Sequence, residues 1–234
     1  MHIFKVLGLL AVISSGVNSM PVDINSIPAP TAGNVGVSLS LVGSNEITAV
    51  DVIMVVPSQP TTNAGSFLAW AGIQSTEGSN ILRSVFSYSS SCSTAAATTP
   101  GTPVVYPEYT DGNMNCQGTT SLAVSTTQEI YVQFRKSNNV WNLFVTNMAT
   151  SETATMSVDL QNVPQQIASL GLRIPDGMSS SGDMTFKNWV IQSSLPDPNL
   201  CQNLVFSHNT ICSASQVYEG NLQCALTNCV VKLT

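Results

Sequence analysis

The chain has 234 residues, enough for one sizeable domain, and only 9% of them are charged, against about 25% in typical globular proteins. Seven lysines and arginines face thirteen acids, which gives a net charge of −6. This balance leaves no basic stripe to neutralise phosphates, so the sequence argues against nucleic acid as a partner. Long coiled coils are disfavoured too, because they need abundant glutamate and lysine.

The first segment has the pattern of a secretory signal. Lys5 precedes an apolar run from Val6 to Ile13, and small residues follow as far as Ser19. We interpret residues 1–19 as a signal peptide rather than a membrane span, because a span needs roughly 20 apolar residues. The proline-rich residues 20–34 predict an extended leader or propeptide. The protein is therefore expected to be secreted, either extracellular or associated with the cell wall.

Alternating apolar residues, typical of strands, begin after this leader. Predicted strands lie at Val35–Leu41, Ile47–Val56, Phe67–Ile73 and Ile81–Tyr88. The second of these is nearly continuous in apolar residues, which predicts a strand covered on both faces. Residues 89–103 are of low complexity and predict a long loop.

The clearest local pattern predicts a hairpin of Glu129–Lys136 and Val140–Asn147, joined by an asparagine-rich turn. Further alternations occur at 154–160, 168–174 and 184–191, and no window of eleven or more residues sustains a helical stripe. About ten short strands predict an all-β fold. An antiparallel two-sheet β-sandwich over residues 35–194 is favoured over a closed barrel. The prolines near 195 mark a boundary before a cysteine-rich tail, residues 195–234.

Six cysteines follow the signal, and in an oxidising compartment they predict up to three disulfides. We expect Cys92 to pair with Cys116 across an internal loop. The other four are expected to close the tail on itself: Cys201, Cys212, Cys224 and Cys229. The tail lacks the paired Cys-x-x-Cys spacing of zinc sites, and the acids are scattered, so neither a metal nor a cofactor is predicted.

Three short stretches resemble the secreted glutamic peptidases of the eqolisin type. Trp70-Ala71-Gly72-Ile73 followed by Ile81-Leu82-Arg83-Ser84 is similar to the W-x-G-I…I-L-Q-T element of that family. Tyr106-Pro107-Glu108-Tyr109 resembles its Y-P-x-Y stretch, and residues 130–155 resemble its I-x-V…V-x-N-x-T strand pair. The resemblance covers about residues 35–192. It implies a concanavalin A-like jelly roll whose concave sheet, in the family, carries the glutamine and glutamate of an acid-acting endopeptidase.

Both catalytic positions of the family hold other residues here. The match places Arg83 at the glutamine and Gly171, or a neighbour, at the glutamate. Glycine transfers no proton, and a guanidinium offers no acceptor. We therefore interpret the chain as a non-catalytic protein that binds a peptide or a glycan on its concave sheet. An alternative is an acid glutamic endopeptidase with a divergent dyad, for which Gln74 and Glu108 are the candidates, and another is a structural cell-wall or matrix component.

Candidate ligand-binding residues are arginines and aromatic residues near these motifs. Arg83 and Arg173 can hold a carboxylate through paired hydrogen bonds, unless they point outward or pair with a nearby acid. Trp70 offers an aromatic face, although tryptophans in apolar strands commonly pack in a core. The remaining candidates lie in a segment that the sequence predicts to be an acidic loop: Tyr106, Glu108 and Tyr109.

Overall fold

A computed structural model describes residues 34–58, 68–76, 80–88, 103–111, 116–173, 183–207 and 209–232. These residues form two antiparallel β-sheets that pack face to face, together with one short 3-10 helix, Leu200–Asn203. The strands are β1 (Asn34–Ser40), β2 (Ile47–Val55), β3 (Leu68–Gln74), β4 (Ile81–Ser87), β5 (Val104–Thr110), β6 (Cys116–Gly118), β7 (Leu122–Ala123), β8 (Glu129–Ser137), β9 (Val140–Asn147), β10 (Thr153–Asp159), β11 (Ile167–Arg173), β12 (Met184–Ser193), β13 (Leu204–Phe206), β14 (Thr210–Cys212), β15 (Ser215–Tyr218) and β16 (Gln223–Val231).

The two sheets are named A and B. Sheet A has the strand order β13-β1-β11-β3-β4-β5-β6, and β7 also pairs with β5. Sheet B has the order β10-β9-β8-β2-β12-β16-β14, and β15 also pairs with β16. Consecutive strands pair as hairpins, as in β3 with β4, whereas pairs such as β1 with β11 and β2 with β12 join strands that are distant in sequence, so the fold also depends on long-range strand pairing. The predicted antiparallel β-sandwich is confirmed.

The core lies between the sheets and follows from the alternation along each strand. In β8 the residues Ile130, Val132 and Phe134 are buried, and in the facing sheet Ala69, Ala71 and Ile73 of β3 belong to the same cluster. Trp141 and Trp189 are among its largest fully buried side chains. Burying an aromatic or large aliphatic side chain stabilises the fold by about 1.5–3 kcal/mol, so this shared core holds the two sheets together.

The predicted hairpin is confirmed as β8 and β9. Ser137 pairs with Val140, and the turn residue Asn138 has a φ of 55°, a conformation that asparagine tolerates well. Two other predictions are wrong. β2 is not covered on both faces, because its residues alternate between buried and half-buried. Residues 104–110 are a strand, β5, rather than an acidic loop, since β4 and β6 pair with it on either side.

The C-terminal segment closes on itself as predicted, through the disulfides Cys201–Cys224 and Cys212–Cys229. It also extends both sheets, because β13 pairs with β1 in sheet A while β16 pairs with β12 in sheet B. The backbone of Gly36 in β1 anchors the link between β13 and β14: its N–H donates to Ser207 Oγ at 2.7 Å, and its carbonyl accepts from Thr210 Oγ1 at 3.1 Å. Cys92 lies outside the described residues, so its predicted pairing with Cys116 remains a prediction.

Candidate functional site

The outer face of sheet A, the side that points away from the core, collects most of the predicted ligand-binding residues. In β3, Ala69 and Ala71 face the core, whereas Leu68 and Trp70 face outward. A second apolar cluster forms on this outer face, and Trp70 packs against its buried members: Leu68, Val85, Val104 and Tyr106. Tyr106 is fully buried here, so it supports Trp70 and is not itself an exposed aromatic platform.

Arg83 and Glu108 form an ion pair on this face, where β4 and β5 place them directly opposite each other. Arg83 Nε donates to Glu108 Oε1 at 2.6 Å, and Arg83 Nη2 contacts the same oxygen. The Arg83 side chain is 24% exposed and that of Glu108 only 1%. The second carboxylate oxygen, Oε2, is buried and has no hydrogen-bond partner among the described residues. The carboxylate is therefore nearly removed from water, whereas the guanidinium stays partly exposed, and the pair depends on a single carboxylate oxygen.

Trp70 lies across the neighbouring strand and occupies the space above Gly171. The two residues are paired in register, and a Cβ added to Gly171 would overlap Trp70 Cζ2 and lie 2.6 Å from Cε2. On its other side, the Arg83 guanidinium carbon lies 5.9 Å from the centroid of the Trp70 ring, within the range of a cation–π contact. The indole therefore occupies the place that a side chain at position 171 would need.

The remaining predicted residues do not converge on this ion pair. Gln74 shares the outer face with Glu108, but β4 separates their strands, and the register leaves about 12 Å between their Cα atoms. Arg173 lies on the same face at the end of β11 and is exposed. Tyr109 lies on the core side of β5, where its hydroxyl donates to Asn80 Oδ1 at 2.6 Å.

Two negative findings apply to the described ranges alone. They contain no helix with the length and apolar character needed to cross a membrane. Nor do they bring together three or more His, Cys, Asp or Glu side chains as a metal site requires.

Sequence reasoning did not identify a polar cluster on the outer face of sheet B. Arg135 Nη2 donates to both carboxylate oxygens of Asp51, at 2.6 and 2.8 Å. The Tyr131 hydroxyl donates to Asp51 Oδ1 at 2.8 Å, and Gln133 Nε2 donates to that hydroxyl and to Asp51. The alternation of Tyr131, Gln133 and Arg135 along β8 was a visible signal, but their partner comes from β2, which is distant in sequence.

This cluster predicts a loss of stability at high pH. Burial, followed by the hydrogen bond to Asp51, raises the pKa of Tyr131 to about 12. Unfolded tyrosine titrates near 10, so between about pH 10 and 12 the folded state binds more protons than the unfolded state and stability falls. We expect urea midpoints to decrease over this range, and to decrease less steeply in Tyr131→Phe. Equal slopes for the two proteins would contradict the assignment.

Comparison with solved structures identifies proteins that have a similar fold. The chain is similar to scytalido-glutamic peptidase bound to a peptide-based transition-state analogue, with a TM-score of 0.57 and 15% sequence identity over 84% of this chain and 98% of that one. It is also similar to SCP-B, a member of the eqolisin family, in complex with the tripeptide Ala-Ile-His, with a TM-score of 0.54, 15% identity and the same coverage. The chain has the glutamic-peptidase fold.

No protein-family model matches the chain, and neither does any curated protein sequence. The likeness therefore concerns the glutamic-peptidase fold, and a fold alone does not determine an activity. The sequence resemblance matches Arg83, which Glu108 holds, to the catalytic glutamine of that family. It matches Gly171, which Trp70 covers, or a neighbour of Gly171, to the catalytic glutamate.

Proposed function

We propose that this protein is secreted and non-catalytic, and that it binds a peptide or a glycan on the outer face of sheet A. Secretion is supported by the signal-like residues 1–19 and by the two disulfides of the C-terminal segment, which persist in oxidising compartments. Binding is supported by a partly exposed indole and two arginines on one sheet face. Aromatic residues and arginines recur where proteins concentrate their binding energy.

One observation supports the absence of catalysis: Arg83 contacts both the Trp70 ring and the Glu108 carboxylate. A general base must reach the proton that it removes, directly or through one water. Glu108 is 1% exposed and one of its oxygens is engaged by Arg83, so an attacking water has no route to that carboxylate. Gly171 carries no proton-transfer group, and Trp70 fills the space in which one would stand.

The competing function is an acid glutamic endopeptidase that uses Gln74 and Glu108. Two features favour it: both side chains lie on the outer face of sheet A, and Glu108 Oε2 has no hydrogen-bond partner. The ion pair speaks against it, because Arg83 already holds Glu108 Oε1 and the Glu108 side chain is only 1% exposed, which leaves little access for a water shared with Gln74.

Two measurements on the folded protein test the proposal. We expect no cleavage of a denatured protein substrate between about pH 2 and 4, where acid peptidases act, and cleavage that Glu108→Gln abolishes would establish the peptidase instead. Binding is measured with Ala-Ile-His, the peptide held by SCP-B, and with trigalacturonate. Trp70→Ala is expected to weaken binding of whichever probe the wild-type protein binds by about tenfold or more, since aromatic anchors in interfaces contribute about 2 kcal/mol or more to the binding free energy. Tyr131→Phe, on the opposite sheet, is the matched control and is expected to bind normally.

A further inference from the structure

Among the described residues, the outer face of sheet A carries one arginine that is in an ion pair, Arg83, and one that is not, Arg173. Of the lysines and arginines in the described ranges, Arg83, Arg135, Lys136 and Lys187 are each in an ion pair. The two others have no ion-pair partner within those ranges: Arg173 and Lys232. Arg173 is therefore the one uncommitted cation on the outer face of sheet A among the described residues, in a chain whose net charge is −6.

Arg173 lies on the same strand and the same face as Gly171, the residue that the indole of Trp70 covers. It follows Gly171 by two residues on β11, so the two Cα atoms are about 7 Å apart and both residues face the same side. The indole extends from β3 across Gly171 and lies against Arg83 on β4, and Arg173 is the next outward-facing residue along β11. Glu108 already holds Arg83, whereas Arg173 is exposed and has no ion-pair partner within the described ranges.

The sheet surface next to the indole is built from small residues. Gly36 pairs with Gly171, and Ser38 pairs with Ser169, all on the outer face. This surface offers the hydroxyls of Ser38 and Ser169, while the buried apolar cluster of the face packs against Trp70. These four paired positions therefore present hydroxyls and backbone rather than apolar side chains.

We propose that the outer face of sheet A binds an acidic glycan, with Arg173 holding the carboxylate of a uronate sugar. The proposal rests on the binding function proposed above and narrows it to one ligand class. A guanidinium matches a carboxylate through two parallel hydrogen bonds. A second ring of the same oligosaccharide packs its apolar side on the indole, and hydroxyls of a third exchange hydrogen bonds with Ser38 and Ser169, because about 13 Å of strand separates Ser169 from Arg173.

The test compares trigalacturonate with its methyl ester, which has the same rings without the charge, by calorimetric titration of the full-length, disulfide-intact protein. Trigalacturonate is expected to bind about 10- to 100-fold more tightly than the ester, as for a charge-assisted hydrogen-bonded pair. Arg173→Gln is expected to remove that preference without changing the urea midpoint, since Arg173 is exposed. Lys232→Gln removes the same charge elsewhere and is expected to change neither affinity.

Each other outcome overturns the inference in a distinct way. If the acid and the ester bind equally, or if the preference survives in Arg173→Gln, the assignment of Arg173 fails while the binding function stands. If Ala-Ile-His binds and trigalacturonate does not, the ligand is a peptide and the glycan assignment fails alone. If none of the three probes binds to the wild-type protein, the proposed binding function fails together with this inference.

Discussion

Replacing Arg83 with methionine is expected to lower the free energy of unfolding by about 3 to 5 kcal/mol. Glu108 is 1% exposed, and its one hydrogen-bonded oxygen is bound by Arg83 alone. Without the guanidinium, the carboxylate would remain buried with no partner for either oxygen, and such a charge is costly. Methionine fills much of the volume of the arginine stem, so the loss reports mainly on charge. Urea denaturation near pH 7 measures it.

Two variants separate this explanation from a general loss of packing. Arg135→Met removes the cation of the Asp51 ion pair, whose side chains are 39% and 25% exposed, and is expected to cost about 1 kcal/mol or less. The double variant Arg83→Met/Glu108→Met removes both buried charges and is expected to recover most of the lost stability, because an apolar pair can replace a buried ion pair. If the double variant is no more stable than Arg83→Met, the buried ion pair is not the cause.

The sequence predicted those parts of the fold that depend on neighbours along the chain. The hairpin of β8 and β9 is an example, since its alternation and its turn lie within one short segment. The side-chain orientation along β12 was harder to predict, because Phe186 and Trp189 both face the core although they are three positions apart in the chain. A bulge between Lys187 and Val190, with Asn188 at a φ of 50°, reverses the alternation there.

The sequence was also insufficient to predict the contacts within the candidate site. Trp70, Arg83 and Glu108 were each identified from the sequence, but their mutual contacts were not. The contacts depend on the register of β3, β4 and β5. Residues 88–103 separate β4 from β5, and nothing in that low-complexity segment specifies the register that places Glu108 opposite Arg83. The sequence did not predict the burial of Glu108 either, because an acid beside two tyrosines and a proline is typical of a surface loop.

Replacing Gly171 with glutamate, the residue type that the family resemblance places there, is expected to destabilise the fold by about 3 kcal/mol. The new Cβ would overlap the Trp70 indole, and relief requires the indole to leave its contacts with Val85 and Arg83. The carboxylate would also stand against an aromatic surface, where the lost hydration is poorly replaced. Ser169→Ala, two residues away on the same face, is the matched control and is expected to stay within about 0.5 kcal/mol.

A double-mutant cycle identifies Trp70 as the cause. Gly171→Ala alone is expected to cost about 1 to 3 kcal/mol, because its methyl group meets the same ring atoms. In a Trp70→Ala background that space is open, so the same substitution is expected to cost nothing or to stabilise, since alanine is preferred to glycine within a strand. An equal cost in both backgrounds would place the obstacle in the backbone and would leave position 171 open for another explanation. A cost that disappears with the indole means that packing by Trp70 is what excludes a side chain at position 171.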